Sequence, residues 1–122
     1  MTTILLIEDD KNQCLLYEQE LRLEDYEVIT AIDGKDALKK VQEQPPDMII
    51  MDICMPKMGG IEEMGRVLSK HKSIPIIIHT AYSNYKDNFM SWAADAYIVK
   101  SSDLSELKNN IKELLTKGVQ VK

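Results

Sequence analysis

Glu8, Asp9 and Asp10 follow the apolar run Ile4-Leu5-Leu6-Ile7. Asp52 follows Met48-Ile49-Ile50-Met51, His79-Thr80 follows Ile76-Ile77-Ile78, and Lys100 follows Ala96-Tyr97-Ile98-Val99. Each of these residues has an ordinary explanation by itself. An Asp after a strand is commonly a turn or cap residue, an acidic pair suits a helix N-terminus, and a Lys is commonly solvated. Gathered at one place they would do something else. Carboxylates from two segments repel and raise one another's pKa unless a cation lies between them. A hard divalent ion such as Mg²⁺ typically takes one or two carboxylates together with phosphate oxygens and waters. A Lys and a Thr suit a phosphoryl group, one with charge and the other with a hydrogen bond. An aspartate at the centre can attack phosphorus as a nucleophile.

The elements needed to gather them can be read from the pattern. The apolar runs, with Val28-Ile29-Thr30-Ala31 among them, are continuous rather than alternating, as in strands buried on both faces of a parallel sheet. Between them lie helical segments. Leu104, Leu107, Ile111, Leu114 and Leu115 follow helical spacing, with Asp103 and Glu106 as a capping pair and Gly118 as the expected stop. Ala37, Leu38 and Val41 form a stripe after Asp33-Gly34 that Pro45-Pro46 ends. Ile61, Met64 and Leu68 mark another helix. Lys11 to Glu24 is helical in composition but shows no clean stripe and is placed mainly by elimination, and Ser83 to Ala94 shows the weakest helical pattern. Five strands alternating with five helices predict an α/β fold, a doubly wound parallel sheet with helices on both faces. In such sheets ligands bind at the carboxyl ends of the strands, which is where the candidate residues fall.

The motifs ILLIEDD (4–10), DMIIMDICMPKMGG (47–60), IIIHTAY (76–82) and AADAYIVK (93–100) stand in order along the chain. With them the sequence resembles the receiver domain of two-component response regulators over residues 1–122. The resemblance implies the flavodoxin-like, CheY-like strand order 2-1-3-4-5 and a phosphorylation-activated signalling switch rather than an enzyme. It implies that Asp52 accepts a phosphoryl group from a sensor histidine kinase or phosphotransfer protein. Mg²⁺ is then held by Asp9, Asp52 and the backbone carbonyl of Cys54, with Glu8 helping through water. Thr80 and Lys100 take phosphoryl oxygens. Tyr97 moves with Thr80 and alters the face of the fourth helix, fifth strand and fifth helix, where an unknown downstream protein docks. Pro56 and Gly60 shape the loop after Asp52. Ser101 stands where the family usually has Pro after a commonly cis bond. A cis bond before Ser costs about 2.5–4 kcal/mol against ~0.5–1 before Pro, so Lys100–Ser101 is expected trans. Cys54 and Tyr82 occupy positions associated in the family with dephosphorylation rate.

Composition narrows the alternatives. With 122 residues, 44% hydrophobic and 29% charged, the chain fits one domain, and it ends soon after the last helix with no output domain expected. Both a free-standing receiver and the receiver of a longer regulator remain open. A net charge of −5 argues against direct nucleic-acid binding. No apolar run approaches the ~20 residues of a membrane span and no signal peptide opens the chain, so a cytoplasmic location is expected. Cys14 and Cys54 read as free thiols in a reducing cytosol. A phosphatase of the haloacid-dehalogenase type would need a second Asp where Cys54 stands. A flavin-binding electron carrier would need a Gly-rich phosphate loop where Glu8-Asp9-Asp10 would repel phosphate.

Overall fold

A computed structural model of the chain describes residues 2–51, 74–80, 95–101 and 103–121, the side chains of 117–121 apart. The strands are β1 (Thr3–Ile7), β2 (Glu27–Ala31), β3 (Met48–Met51), β4 (Ile76–Thr80) and β5 (Ala96–Val99), and the helices are α1 (Lys11–Leu23), α2 (Gly34–Glu43) and α3 (Ser105–Val121). All five strands are parallel, in the order β2-β1-β3-β4-β5. The helices expected around 61–68 and 83–94 lie outside the described residues.

Continuous apolar runs are required because both faces of the sheet are covered. Along β1, Ile4 and Leu6 pack with Tyr17, Leu21, Leu107 and Ile111 of α1 and α3, while Leu5 and Ile7 pack with Ala37 and Val41 of α2. β3 divides in the same way, Met48 and Ile50 to one side and Ile49 and Met51 to the other. The lower edge is closed by two carboxylates. Asp47 accepts a hydrogen bond from the Thr3 amide at 2.7 Å, and Asp95 from the Ile76 amide at 2.8 Å.

Helix ends follow local chemistry. Asp10 caps α1 by accepting from the amides of Asn12 and Gln13, and Asp33 caps α2 by accepting from Asp36. Asp103 accepts from the Ser105 amide at 2.9 Å, so it holds the start of α3 as expected. The Ser105 hydroxyl and then its amide keep the Asp103 carboxyl below its ordinary pKa. That contribution to α3 is present above the usual carboxylate range and is lost as pH falls through the lowered value. The expected stop at Gly118 is corrected: α3 continues through it to Val121. A helical glycine costs only about 1 kcal/mol, and none of residues 119–121 is a proline that would end the helix.

α1 ends with Asp25 at φ 67°, its amide donating to Arg22 O at 3.0 Å and the Tyr26 amide to Leu21 O at 3.3 Å. This is a Schellman closure with aspartate at the position that favours glycine. Asp25→Gly is therefore expected to stabilise the domain by up to about 1 kcal/mol. Urea denaturation would show it as a higher midpoint at unchanged slope, and an unchanged or lower midpoint would refute it.

Candidate phosphoryl-transfer site

The sheet order reverses between β2-β1 and β1-β3, which opens the crevice where doubly wound folds bind ligands. Ile7 is in register with Met51, so β1 and β3 leave the sheet at the same level. From there β1 leads into Glu8 and Asp9, and β3 leads in sequence into Asp52. On the other side of β3, Thr80 is in register with Val99, and the Lys100 amide donates to the Thr80 carbonyl at 2.6 Å. Parallel pairing thus delivers Glu8, Asp9, Thr80 and Lys100 to one edge. Asp52, Cys54 and Tyr82 lie outside the described residues.

Glu8 and Lys100 form the centre of the described site. Glu8 Oε2 faces Lys100 Nζ at 3.3 Å, with the two side chains only 1% and 14% exposed. Its other oxygen, Oε1, accepts from the Asp10 amide at 3.0 Å. Two full charges removed from water this far require compensation, and here each compensates the other. Asp9, the next residue, is exposed. Thr80 is 1% exposed at the end of β4. Tyr97 is half-buried against the cluster that contains Leu5, Ile7 and Ile78. The Lys100–Ser101 bond is trans, as the chemistry of serine predicts, since no cis peptide occurs among the described residues. Ser101 Oγ donates to the Asp103 carbonyl at 2.8 Å and shapes the approach to α3.

The implied Mg²⁺ can be tested against these donors. Among the described residues no group of three or more His, Cys, Asp or Glu side chains gathers to hold a metal. Asp9 is an exposed residue at the crevice, while Asp10 is turned to the α1 amides. Together with Asp52 and the Cys54 carbonyl, the donor set would be all oxygen, which suits a hard cation. Among the described residues, Asp9 fits the ion in donor type.

Sequence reasoning missed two α1 residues. Gln13 Oε1 accepts from Lys100 Nζ, and the ammonium sits 5.6 Å from the centroid of the Tyr17 ring. Tyr17 in turn meets buried His79 edge-on, with centroids 5.1 Å apart. The available signal was the i,i+4 spacing of Gln13 and Tyr17, which places both on one helix face. Cys14 beside them is a free thiol, as expected; burial first, and then Glu18 and Glu8, push its pKa up and keep it protonated.

A family model described as the response regulator receiver domain matches residues 4–112. The response regulator ArlR of Staphylococcus aureus is 39% identical over 122 residues, which cover 98% of this chain and 55% of that protein. The chain thus spans about half the length of the curated relatives it matches. Response regulator protein TrrA of Thermotoga maritima, crystallised in complex with Mg²⁺-BeF, superposes with a TM-score of 0.85 at 44% identity, covering 93% of this chain and 99% of that one. TrrA in complex with the histidine kinase ThkA gives 0.83, also at 44% identity, over 94% and 99%. A family match across nearly the whole sequence, on a sheet of the same order and with the acidic, hydroxyl and lysine positions in sequence, leads to one conclusion: the chain belongs to the response regulator receiver domains of two-component systems.

Proposed function

We propose that residues 1–122 form a receiver that takes a phosphoryl group from a histidine kinase onto Asp52 and changes partner affinity as a result. The observation that carries this reading is the buried Glu8–Lys100 pair beside Thr80 at the strand ends that flank Asp52 in sequence. A carboxylate oxygen of Asp52 forms the new bond to phosphorus as the bond to the donor breaks, and the leaving group keeps the electron pair. Lys100 then neutralises one phosphoryl oxygen, and the Thr80 hydroxyl donates to another. Mg²⁺, held by Asp9, Asp52 and the Cys54 carbonyl with Glu8 acting through water, would supply charge for the remaining phosphoryl oxygens. The complexes of TrrA with Mg²⁺-BeF and with a histidine kinase support both the ion and the class of donor.

On this reading the chain is a switch, and the only chemistry it promotes is its own phosphorylation and dephosphorylation. Thr80 and Tyr97 convey the change to the face that includes β5 and α3, where a downstream protein is received. The shift reaches only as far as phosphate binds the two states differently. No helix among the described residues is long and apolar enough to cross a membrane, which accords with a cytoplasmic protein. The test is intact mass: with acetyl phosphate and Mg²⁺ the chain gains one phosphoryl group, and an unchanged mass would refute the reading.

The metal assignment makes its own prediction. Asp9→Ala is expected to weaken Mg²⁺ binding about tenfold or more, through loss of a charged ligand, and Glu8→Ala less. Fluorescence or calorimetric titration reads both, and Asp9→Ala with ordinary affinity would remove Asp9 from the ligand set.

A further inference from the structure

We propose that Gln13 and Tyr17 of α1 are positioning residues for Lys100, which together aim its ammonium at the phosphoryl site. This rests on the reading that Lys100 pairs with a phosphoryl oxygen on Asp52. A lysine ammonium is a point charge with three donors on a four-carbon stem of many rotamers, so it does not aim itself. The backbone does not supply the aim either, because Ser101 follows on a trans bond with no ring to fix its φ.

Among the described residues, Glu8, Gln13 and Tyr17 constrain the side chain. Glu8 Oε2 lies at 3.3 Å and balances the charge. Gln13 Oε1 accepts a second donor, and the Tyr17 ring lies within cation–π range at 5.6 Å. Gln13 and Tyr17 are uncharged, so they direct the ammonium without adding a negative charge beside it. Tyr17 is itself fixed, buried in the core and set edge-on to His79. The ring is thus a rigid stop rather than a passing surface contact.

Time courses of phosphorylation by acetyl phosphate and Mg²⁺, followed by intact mass, test this. Gln13→Met keeps the length of the side chain and removes the acceptor; it is expected to label about tenfold more slowly, the effect of one lost hydrogen bond to a charged group. Tyr17→Leu should label about threefold more slowly, and Tyr17→Phe, which keeps the ring, should recover the rate that Tyr17→Leu loses. In a Lys100→Met background Gln13→Met should have no further effect, and persistence of its effect there would mark a merely structural role. Should that double variant not fold, the ammonium resonance of Lys100 decides. It is expected to be sharp in the unmodified chain and broadened by exchange in Gln13→Met, and an unaltered signal would overturn the proposal. The two levels separate cleanly: Lys100→Met labelling at the unmodified rate defeats the role of Lys100 itself. A slow Lys100→Met with an unimpaired Gln13→Met defeats only the α1 contribution.

Discussion

Asp52→Asn is expected to gain no phosphoryl group from acetyl phosphate and Mg²⁺ under conditions in which the unmodified chain gains one. The amide is close in size and shape to the carboxylate, so the loss would be chemical rather than structural. An amide oxygen carries no full negative charge, is a poor nucleophile toward phosphorus, and offers the metal a weaker ligand. The other carboxylates near the edge are poorly suited to replace it. Asp10 is occupied by the amides of Asn12 and Gln13, and Glu8 lies buried with its oxygens on the Asp10 amide and Lys100. Asp9 is exposed and is the competitor that the experiment must exclude. Label appearing on Asp52→Asn at the original rate would move the acceptor to another residue.

Lys100→Met should lower the stability of the unphosphorylated domain by about 3 kcal/mol at neutral pH. Methionine fills much the same volume, but it removes the cation 3.3 Å from a carboxylate that is only 1% exposed. Removal of one partner from a buried pair generally costs ~3–5 kcal/mol, and the lower end applies because the Lys100 side chain keeps 14% exposure. For a domain of this size the thermal midpoint should fall by roughly 10 °C. Lys112→Met serves as the comparison. Its partner Glu24 lies at 3.4 Å, but Lys112 is 62% exposed, so water screens the pair and the change should stay within about 0.5 kcal/mol. Equal midpoints for the two variants would mean that the Glu8–Lys100 pair contributes no more than a surface contact.

Much of the sheet could be read from the sequence because burial on both faces leaves a plain mark. The runs Met48–Met51 and Ala96–Val99 are strands with those limits. β4 runs past its apolar stretch to include His79 and Thr80, both polar and both buried, and composition alone gives no sign of that. α1 was harder to read for a different reason. Cys14, Tyr17 and Leu21 do form an inward stripe, but Leu15, Leu16 and Leu23 point outward and blur it. At the site, the strand-end residues Glu8, Asp9, Thr80 and Lys100 were legible because parallel pairing forces strand ends together. The contacts of Gln13 and Tyr17 with Lys100 were not, since nothing in the local pattern says which helix packs beside Lys100. Asp10 stood in the acidic motif but is committed to capping α1, and residue type cannot separate those two uses.

The central place of β1 also bears on how the chain reaches this structure. Both of its neighbours, β2 and β3, are complete by residue 51, and the helices between them cover opposite faces of the same three strands. When synthesis has released that much chain, a three-stranded βαβαβ unit can begin to collapse before β4 and β5 emerge, since its contacts span the shorter loops. The edge left waiting is β3, whose unpaired amides and carbonyls are a template until β4 arrives. The nascent protein is therefore most exposed to wrong pairing in the interval between the two halves of its own sheet.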